Sequence, residues 1–272
     1  MSTVLVIGAT GRVGRHVVNG LLAAGVSVRA FTRTATAADL PAEVELVTGD
    51  LHDVDAVRRA AVGVDAAFLL WPWFVADGAA EVVAELPRRV VYLSTLNGGG
   101  FWGEIEDLLK DHDRTFVRPS GFAVNTLNWA EQIRTTGVVQ LPYPKAARSL
   151  IHERDIAAVA VLALLGAEHI GRTYEITGPE AITQEDQVAT IAEVIGKPIS
   201  VEGLTGDAAR QQMLTQGADP VLADSAVTYW ASLVDTPEPV TNTVAELTGR
   251  AAITFAEWAR EHADAFRVPI NG

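Results

Sequence analysis

Gly8-Ala9-Thr10-Gly11-Arg12-Val13-Gly14 follows Thr3–Ile7, a short run rich in Val and Ile. After it, Val13, Val17, Val18, Leu21 and Leu22 recur at helical spacing up to Gly25. An apolar run, then glycines, then a 3.6-residue period reads as a buried strand that turns directly into a helix. Such a turn gathers backbone N–H groups at the positive end of the helix dipole, where a pyrophosphate binds. Glycine is required where the main chain nearly touches a ligand and where helix and strand pack closely. The spacing is G-x-x-G-x-x-G, and its context, strand before and helix after, points to a dinucleotide site more than the letters do.

Outward from this turn the alternation continues. Residues 26–32, 44–47, 66–70 and 90–94 read as strands, and 53–61 and 75–86 as the helices between them. Alternating strands and helices with short connections specify an α/β domain, a doubly wound parallel sheet covered on both faces, over residues 1–134. From about Arg134 the texture changes. Strand-like pieces at 138–141, 173–177 and 199–202 alternate with longer helices and with loops bearing Pro142, Pro144, Pro179 and Pro198. A smaller C-terminal α/β lobe, 135–272, is expected, with strand 173–177 a candidate to return to the main sheet. Thr183 and Thr254 each precede a carboxylate by three residues, Asp186 and Glu257, the pattern of a helix N-cap. Glu153 and Asp155 place negative charge at the start of an apolar helix over 156–165.

The 272 residues include 34 Asp and Glu against 21 Lys and Arg, a formal net charge of −13. That balance, with no basic run, excludes nucleic acid and anionic membrane surfaces as partners. The chain has no cysteine, which removes disulfides and thiolate chemistry. Its six histidines (His16, His52, His112, His152, His169 and His262) show no metal-ligand spacing, so no metal site is expected. The start MSTVLVIGATG lacks the basic and long apolar segments of a secretory signal, which gives the expectation of a cytoplasmic protein.

The end of the second strand bears on which dinucleotide is bound. An acidic residue about 20 residues beyond the glycine turn usually holds the ribose 2′-OH of NAD. Here Arg33 takes that place and Arg12 lies in the turn itself. Two guanidiniums suit a 2′-phosphate by charge and bidentate hydrogen bonding, so NADP(H) is expected in preference to NAD(H).

Together with Gly49-Asp50-Leu51, Arg118-Pro119-Ser120-Gly121-Phe122, Tyr174-Glu175-Ile176-Thr177-Gly178-Pro179, Leu247-Thr248-Gly249-Arg250 and Thr254-Phe255-Ala256-Glu257-Trp258, the turn resembles the NmrA-like branch of the atypical short-chain dehydrogenases/reductases. The resemblance covers nearly the whole chain. It implies a Rossmann fold in which Gly8, Thr10, Gly11, Arg12, Val13 and Gly14 receive the pyrophosphate. It places Asp50 and Leu51 beside the adenine, and Leu70, Trp71 and Pro72 along the ribose and pyrophosphate. Ser94 and Thr95 would lie by the nicotinamide, with Pro119 to Phe122 closing over it. The branch holds NADPH-dependent reductases, redox-sensing regulators and proteins of unknown activity.

Many short-chain dehydrogenases use a Tyr-x-x-x-Lys pair on a helix, where one turn aligns the two side chains and the ammonium makes the phenol a better acid. Tyr92, Tyr143, Tyr174 and Tyr229 have no Lys four residues on. Ser94 lies outside any G-x-S-x-G elbow. Glu106 reads as part of a solvated helix start. Catalytic residues are not identified by any motif; Thr95 and His152 are the candidates, with Trp73, Thr95, Leu96, Phe122 and His152 expected to line the substrate pocket. Trp71, Trp73, Phe101, Trp102 and Phe122 suggest a flat-sided apolar cleft for an aromatic ligand, whereas Trp129 and Trp258 read as core. The Gly98-Gly99-Gly100 run reads either as a mobile lid or as a surface loop. Three functions stay open: an NADPH-dependent reductase of an apolar or aromatic carbonyl, enone or quinone; a non-catalytic NADP(H) sensor with a protein partner; or an epimerase, dehydratase or cyclase. A monomer or a homodimer fits each.

Overall fold

The computed structural model describes residues 2–33 and 40–267. The chain forms two compact, interleaved units. One comprises Met1–Pro119, Glu153–Ile176 and Thr243–Ala251; the other comprises Ser120–His152, Thr177–Asn242 and Ala252–Gly272. This corrects the sequence division at 134/135: the chain leaves the first unit at Pro119 and returns to it twice. The reason lies in the sheet. Its last strand joins in parallel, and a parallel neighbour needs a long crossover with a helix to cover the face.

In the first unit, β1 (Thr3–Ile7), β2 (Ser27–Thr32), β3 (Glu45–Thr48), β4 (Ala66–Leu70), β5 (Arg89–Leu93), β6 (Asp113–Pro119) and β9 (Thr173–Ile176) are all parallel. Among the described residues they form one seven-stranded sheet in the order β3-β2-β1-β4-β5-β6-β9. Strand 173–177 therefore does return to the main sheet. The order reverses between β1 and β4, which is where such sheets open a ligand crevice at their carboxyl ends. Val4, Leu5, Val6 and Ile7 are all buried, as a strand covered on both faces requires. Leu5 and Ile7 join the core under α2 (Val54–Ala61), α3 (Ala79–Glu85) and α4 (Phe101–Leu108). Val4 and Val6 alternate with them and face the other side. There α1 (Gly14–Ala23) packs on α6 (Glu153–Leu165), and α10 (Thr243–Thr248) packs on α6 in turn.

Helix α3 begins later than the periodicity over 75–86 suggests. Trp71 turns its indole N–H to the Val75 carbonyl at 2.7 Å, which folds the preceding loop, and Gly78 at φ +76° admits the chain to the helix. Helix α6 carries Glu153 and Asp155 in its first turn. Both are buried, and Asp155 forms an ion pair with Arg250 at 2.6 Å.

The second unit contains α5 (Ala130–Thr135), α7 (Gln184–Ile195), α8 (Gly206–Thr215), α9 (Pro220–Asp235), α11 (Phe255–Glu261) and α12 (Ala263–Phe266). Its strands pair two by two: β7 (Val138–Pro142) runs parallel to β11 (Ser200–Leu204), and β8 (Ala147–Arg148) antiparallel to β10 (Ile182–Thr183). Both threonine caps form. Thr183 accepts from the Asp186 amide, and Thr254 and Glu257 make a reciprocal capping box. Ile133, Leu141, Val188, Ile191, Phe255, Trp258 and Phe266 meet in its core. Among the described residues no helix is long and apolar enough to cross a membrane.

Candidate functional site

The glycine turn owes its shape to contacts no side chain could share. A Cβ on Gly14 would fall 2.0 Å from the Gly8 carbonyl oxygen and 2.7 Å from its carbon, so α1 starts in direct contact with the turn. Gly11 donates back to the Gly8 carbonyl at 2.9 Å, and a Cβ on Gly11 would sit 3.1 Å from the same oxygen. Gly8 itself is at φ +85°. Helix starts leave their first N–H groups without intrahelical partners. A cradle this close to bare main chain therefore fits a pyrophosphate. Thr10 and Gly11 are half-buried, Arg12 is exposed, and Val13 and Gly14 are buried.

Register then orders the rest along the carboxyl edge. Ile7 pairs with Phe31, so Arg33, exposed just beyond β2, emerges beside the turn after β1. Gly49 follows β3; its hydrogen is needed because a Cβ would come within 2.7 Å of both the Phe31 ring and Ala56. Asp50 Oδ1 accepts from the His52 backbone N–H and faces its ring Nδ1, both at 2.9 Å. The His52 backbone bond, then the ring, then Arg33's charge hold the Asp50 carboxyl below the usual carboxylate range. Leu51 is buried in the core beneath. The His52 ring lies 4.0 Å from that of Trp73, which meets Trp71 edge-on at 5.0 Å. Leu70 is half-buried and Pro72 exposed. Phe74, 56% exposed, stands edge-on to Phe101 and Trp102 at 5.9 and 6.4 Å. The loop after β4 and the start of α4 thus share one aromatic surface continuous with the core.

The end of β5 differs from its sequence reading. Glu106 is not solvated; it is buried, 7% exposed. Its Oε1 accepts from the Ser94 hydroxyl at 2.6 Å and from Arg118 Nε at 2.9 Å, and its Oε2 accepts from Arg118 Nη2. Ser94 has one proton to give and gives it to Glu106, so it cannot also donate to a substrate. Thr95 is half-buried and Leu96 buried in the turn that follows. Tyr92 is enclosed in the core with its hydroxyl unbonded; burial, with Glu106 adding, pushes its pKa up and removes it as an acid.

Pro119 closes β6 in the first unit, whereas Phe122 and His152 belong to the second. Phe122 is half-buried and bridges to Ile151. His152 is 2% exposed, and its Nε2 lies 3.3 Å from Glu261. Trp258 is fully buried and stacks on Phe255 and His262. The sequence reading put Glu106 in solvent, and it passed over Arg118 as its partner and His52 and Phe74 as neighbours of Trp73 and Phe101. The available signal for the Glu106–Arg118 pair was an arginine in the apolar second half of a strand, Phe116-Val117-Arg118-Pro119. Among the described residues no group of three His, Asp or Glu is arranged to hold a metal ion.

Sheet order, glycine cradle and the row of groups along the carboxyl edge define a nicotinamide-dinucleotide enzyme of the Rossmann class. Residues 8–82 match a family model described as NAD(P)H-binding. The chain is 39% identical to a (4-alkanoyl-5-oxo-2,5-dihydrofuran-3-yl)methyl phosphate reductase of Streptomyces griseus, over 97% of this chain and 99% of the relative. It is 33% identical to an NAD(P)H azoreductase of Xenophilus azovorans, again over 97% and 99%. Its fold superimposes on an NADPH-dependent quinone oxidoreductase of Escherichia coli in complex with NADPH, with a TM-score of 0.81 at 23% identity, covering 95% of this chain and 99% of that one. The chain belongs to the NmrA-like family of atypical short-chain dehydrogenases/reductases. It is an oxidoreductase with an NAD(P)H-binding domain.

Proposed function

We propose that the protein transfers hydride from NADPH to a flat, conjugated, electron-poor acceptor: a quinone, an enone such as an unsaturated lactone, or an azo compound. The observation that carries this reading is the aromatic surface built by Trp73 and Phe74 after β4 and by Phe101 and Trp102 at the start of α4. Aromatic faces and edges bind flat π-systems well and saturated polar ones poorly. The acceptors named for the relatives, a dihydrofuranone and azo compounds, are conjugated in this sense.

In this reading the 8–14 turn binds the pyrophosphate, Arg12 and Arg33 the 2′-phosphate, and Asp50, Leu51, Leu70, Trp71 and Pro72 the adenosine side. Ser94 and Pro119 border the nicotinamide. Bound NADPH supplies the hydride. The chain's own contribution is to orient the acceptor and keep the site dry, which accounts for much of the rate of a hydride transfer. The electron pair displaced by hydride moves onto an oxygen or nitrogen of the acceptor, which takes its proton from water. In this reading Thr95 donates a hydrogen bond there, a role supported by Ser94 having committed its proton. His152 faces Glu261 and is assigned no proton transfer.

Two measurements test this. Purified protein with NADPH should reduce 1,4-naphthoquinone, methyl red or an α,β-unsaturated butenolide, followed by loss of reduced-nicotinamide absorbance. Tight NADPH binding with no turnover of any of them would replace the reading with NADP(H) sensing. Arg33→Ala should narrow the preference for NADPH over NADH by about 1–3 kcal/mol, the worth of a charge-assisted hydrogen bond. Equal affinities for the two cofactors in the unaltered protein would remove Arg12 and Arg33 from the 2′-phosphate.

A further inference from the structure

We infer that Glu106 and Arg118 are positioning residues, whose ion pair, buried at Glu106 and partly buried at Arg118, holds the 95–98 turn and, through it, the nicotinamide end of the site. All the groups involved lie in the first unit, on β5, β6, α4 and the turn between β5 and α4.

The turn rests directly on the guanidinium. A Cβ on Gly98 would fall 2.3 Å from Arg118 Nη2 and 2.4 Å from its Cζ, so only glycine permits the contact. Gly98 is at φ +58° and closes the turn by donating to the Thr95 carbonyl at 2.9 Å. The residue between, Asn97, is at φ +68°, a conformation few side chains adopt. From below, Glu106 fixes the guanidinium through two oxygens and takes the Ser94 proton with one of them. Glu175 on β9 adds a second carboxylate to Arg118 at 3.8 Å. One side chain, Arg118, thereby ties together two strands, β6 and β9, a helix and the turn.

A buried ion pair is often replaceable by apolar groups at little or no cost in stability. Left-handed backbone outside glycine, which Asn tolerates better than most residues, persists where the surrounding structure over-determines it, and such positions cluster at functional sites. Both features meet at the carboxyl end of β5, where the sheet's ligand crevice opens. The turn carries Thr95 and Leu96, the two residues placed beside the nicotinamide and acceptor. The groups assigned to the pyrophosphate and 2′-phosphate lie on other loops. Disturbing the ion pair should therefore spare cofactor affinity and harm what happens at the nicotinamide.

This inference rests on the reading that NADPH lies with its nicotinamide at the end of β5. The test uses two variants that disturb the pair differently. Glu106→Gln keeps size and removes charge, while Gly98→Ala keeps all three groups and pushes the guanidinium away. NADPH titration, followed by fluorescence, gives both affinity and the emission of the bound nicotinamide. Both variants should bind NADPH within about threefold of the parent but lose most of the rise in nicotinamide emission on binding. With naphthoquinone, kcat should fall about 10²-fold, as expected for misplacement of roughly 1 Å, while the KM for NADPH stays unchanged. A merely structural role would lower the melting temperature and leave the emission of the bound cofactor as in the parent; that result overturns the inference. A parallel loss of NADPH affinity overturns it too. If the parent fails to reduce any acceptor, the proposed reaction falls, and the emission measurement still decides the positioning role. If Glu106→Gln does not fold, Gly98→Ala decides it alone.

Discussion

Trp258→Ala should lower the free energy of unfolding by about 3–5 kcal/mol, the usual cost of emptying a buried aromatic site. The indole is 0% exposed. It stacks on Phe255 at 5.4 Å and on the His262 ring at 4.4 Å, and meets Phe266 edge-on at 6.2 Å. Around it, Ile133, Leu141 and Ile191 fill the rest of the second unit's core and are themselves wholly buried. None of these neighbours can swing in to refill the space without leaving its own contacts, so the cavity persists. For a chain of this length the loss corresponds to a melting-point drop of roughly 6–20 °C. Trp258→Phe should cost much less. The indole N–H is buried with no hydrogen-bond partner among the described residues, so phenylalanine removes an unsatisfied donor along with part of the ring. Far-UV circular dichroism during urea unfolding reads both variants. Comparable stability of parent and Trp258→Ala would show that the second unit does not depend on this ring.

Trp258 was legible as core because it follows a capping box, Thr254 to Glu257, on a short helix with Phe255 and Ala259. Periodicity alone turns it inward. The same kind of signal made the sheet legible. Strands buried on both faces read as apolar runs, and glycines mark the turns that follow them. The chain's division was less legible. Nothing in the composition of 153–176 shows that this segment leaves its sequence neighbours to rejoin the first sheet. That outcome depends on which strand edge is open, a property of the assembled sheet. Proline-bearing loops from 142 onward marked a change of texture and drew the boundary to the wrong place.

The site divides in the same way. Backbone-made parts were readable because they call for glycine: Gly8 and Gly14 at the turn and Gly49 against the Phe31 ring, where no side chain fits without strain, and Gly11, where one is crowded. Side-chain-made parts were not. Glu106 lies between Ile105 and Asp107 on a short helix that also carries Glu104, and sequence favours solvent for such a carboxylate. Only the register of β6 brings Arg118 beneath α4, and only then does burial of the carboxylate become tolerable. Gly121 and Gly178 show an intermediate case. Each is part of a motif, yet its reason emerges from tertiary contact: a Cβ on Gly121 would fall 2.4 Å from the Arg148 guanidinium, and one on Gly178 2.1 Å from the Leu150 carbonyl oxygen. In the second unit that guanidinium is held by the buried Glu238, which also accepts from the Ser149 amide at 3.0 Å and from the Tyr229 hydroxyl. These two motif glycines thus serve packing around the Arg148 segment.

Gly14→Ala should weaken NADPH binding by at least about 100-fold, or roughly 2.7 kcal/mol. The added methyl would lie 2.0 Å from the Gly8 carbonyl oxygen, 2.7 Å from its carbon and 3.0 Å from the Ala9 Cα. All three are main-chain atoms of a turn wedged against Leu70, and none can rotate aside as a side-chain tip would. To restore contact distance, the first turn of α1 must move away by about an ångström, which takes its N–H groups off the anion they are aimed at. Each charge-assisted hydrogen bond to a phosphate contributes about 1.5–3 kcal/mol, so two misaligned donors account for the loss. Gly11→Ala makes a graded comparison. Its methyl would meet the same oxygen at 3.1 Å, a conflict relieved by a few tenths of an ångström. Its loss of affinity should therefore be measurable but well below that of Gly14→Ala. Isothermal titration with NADPH, on samples shown by circular dichroism to be folded, gives both values. Equal affinity of Gly14→Ala and the parent would mean that the pyrophosphate is not held at this turn, and the reading of the whole carboxyl edge as a dinucleotide site would fail with it.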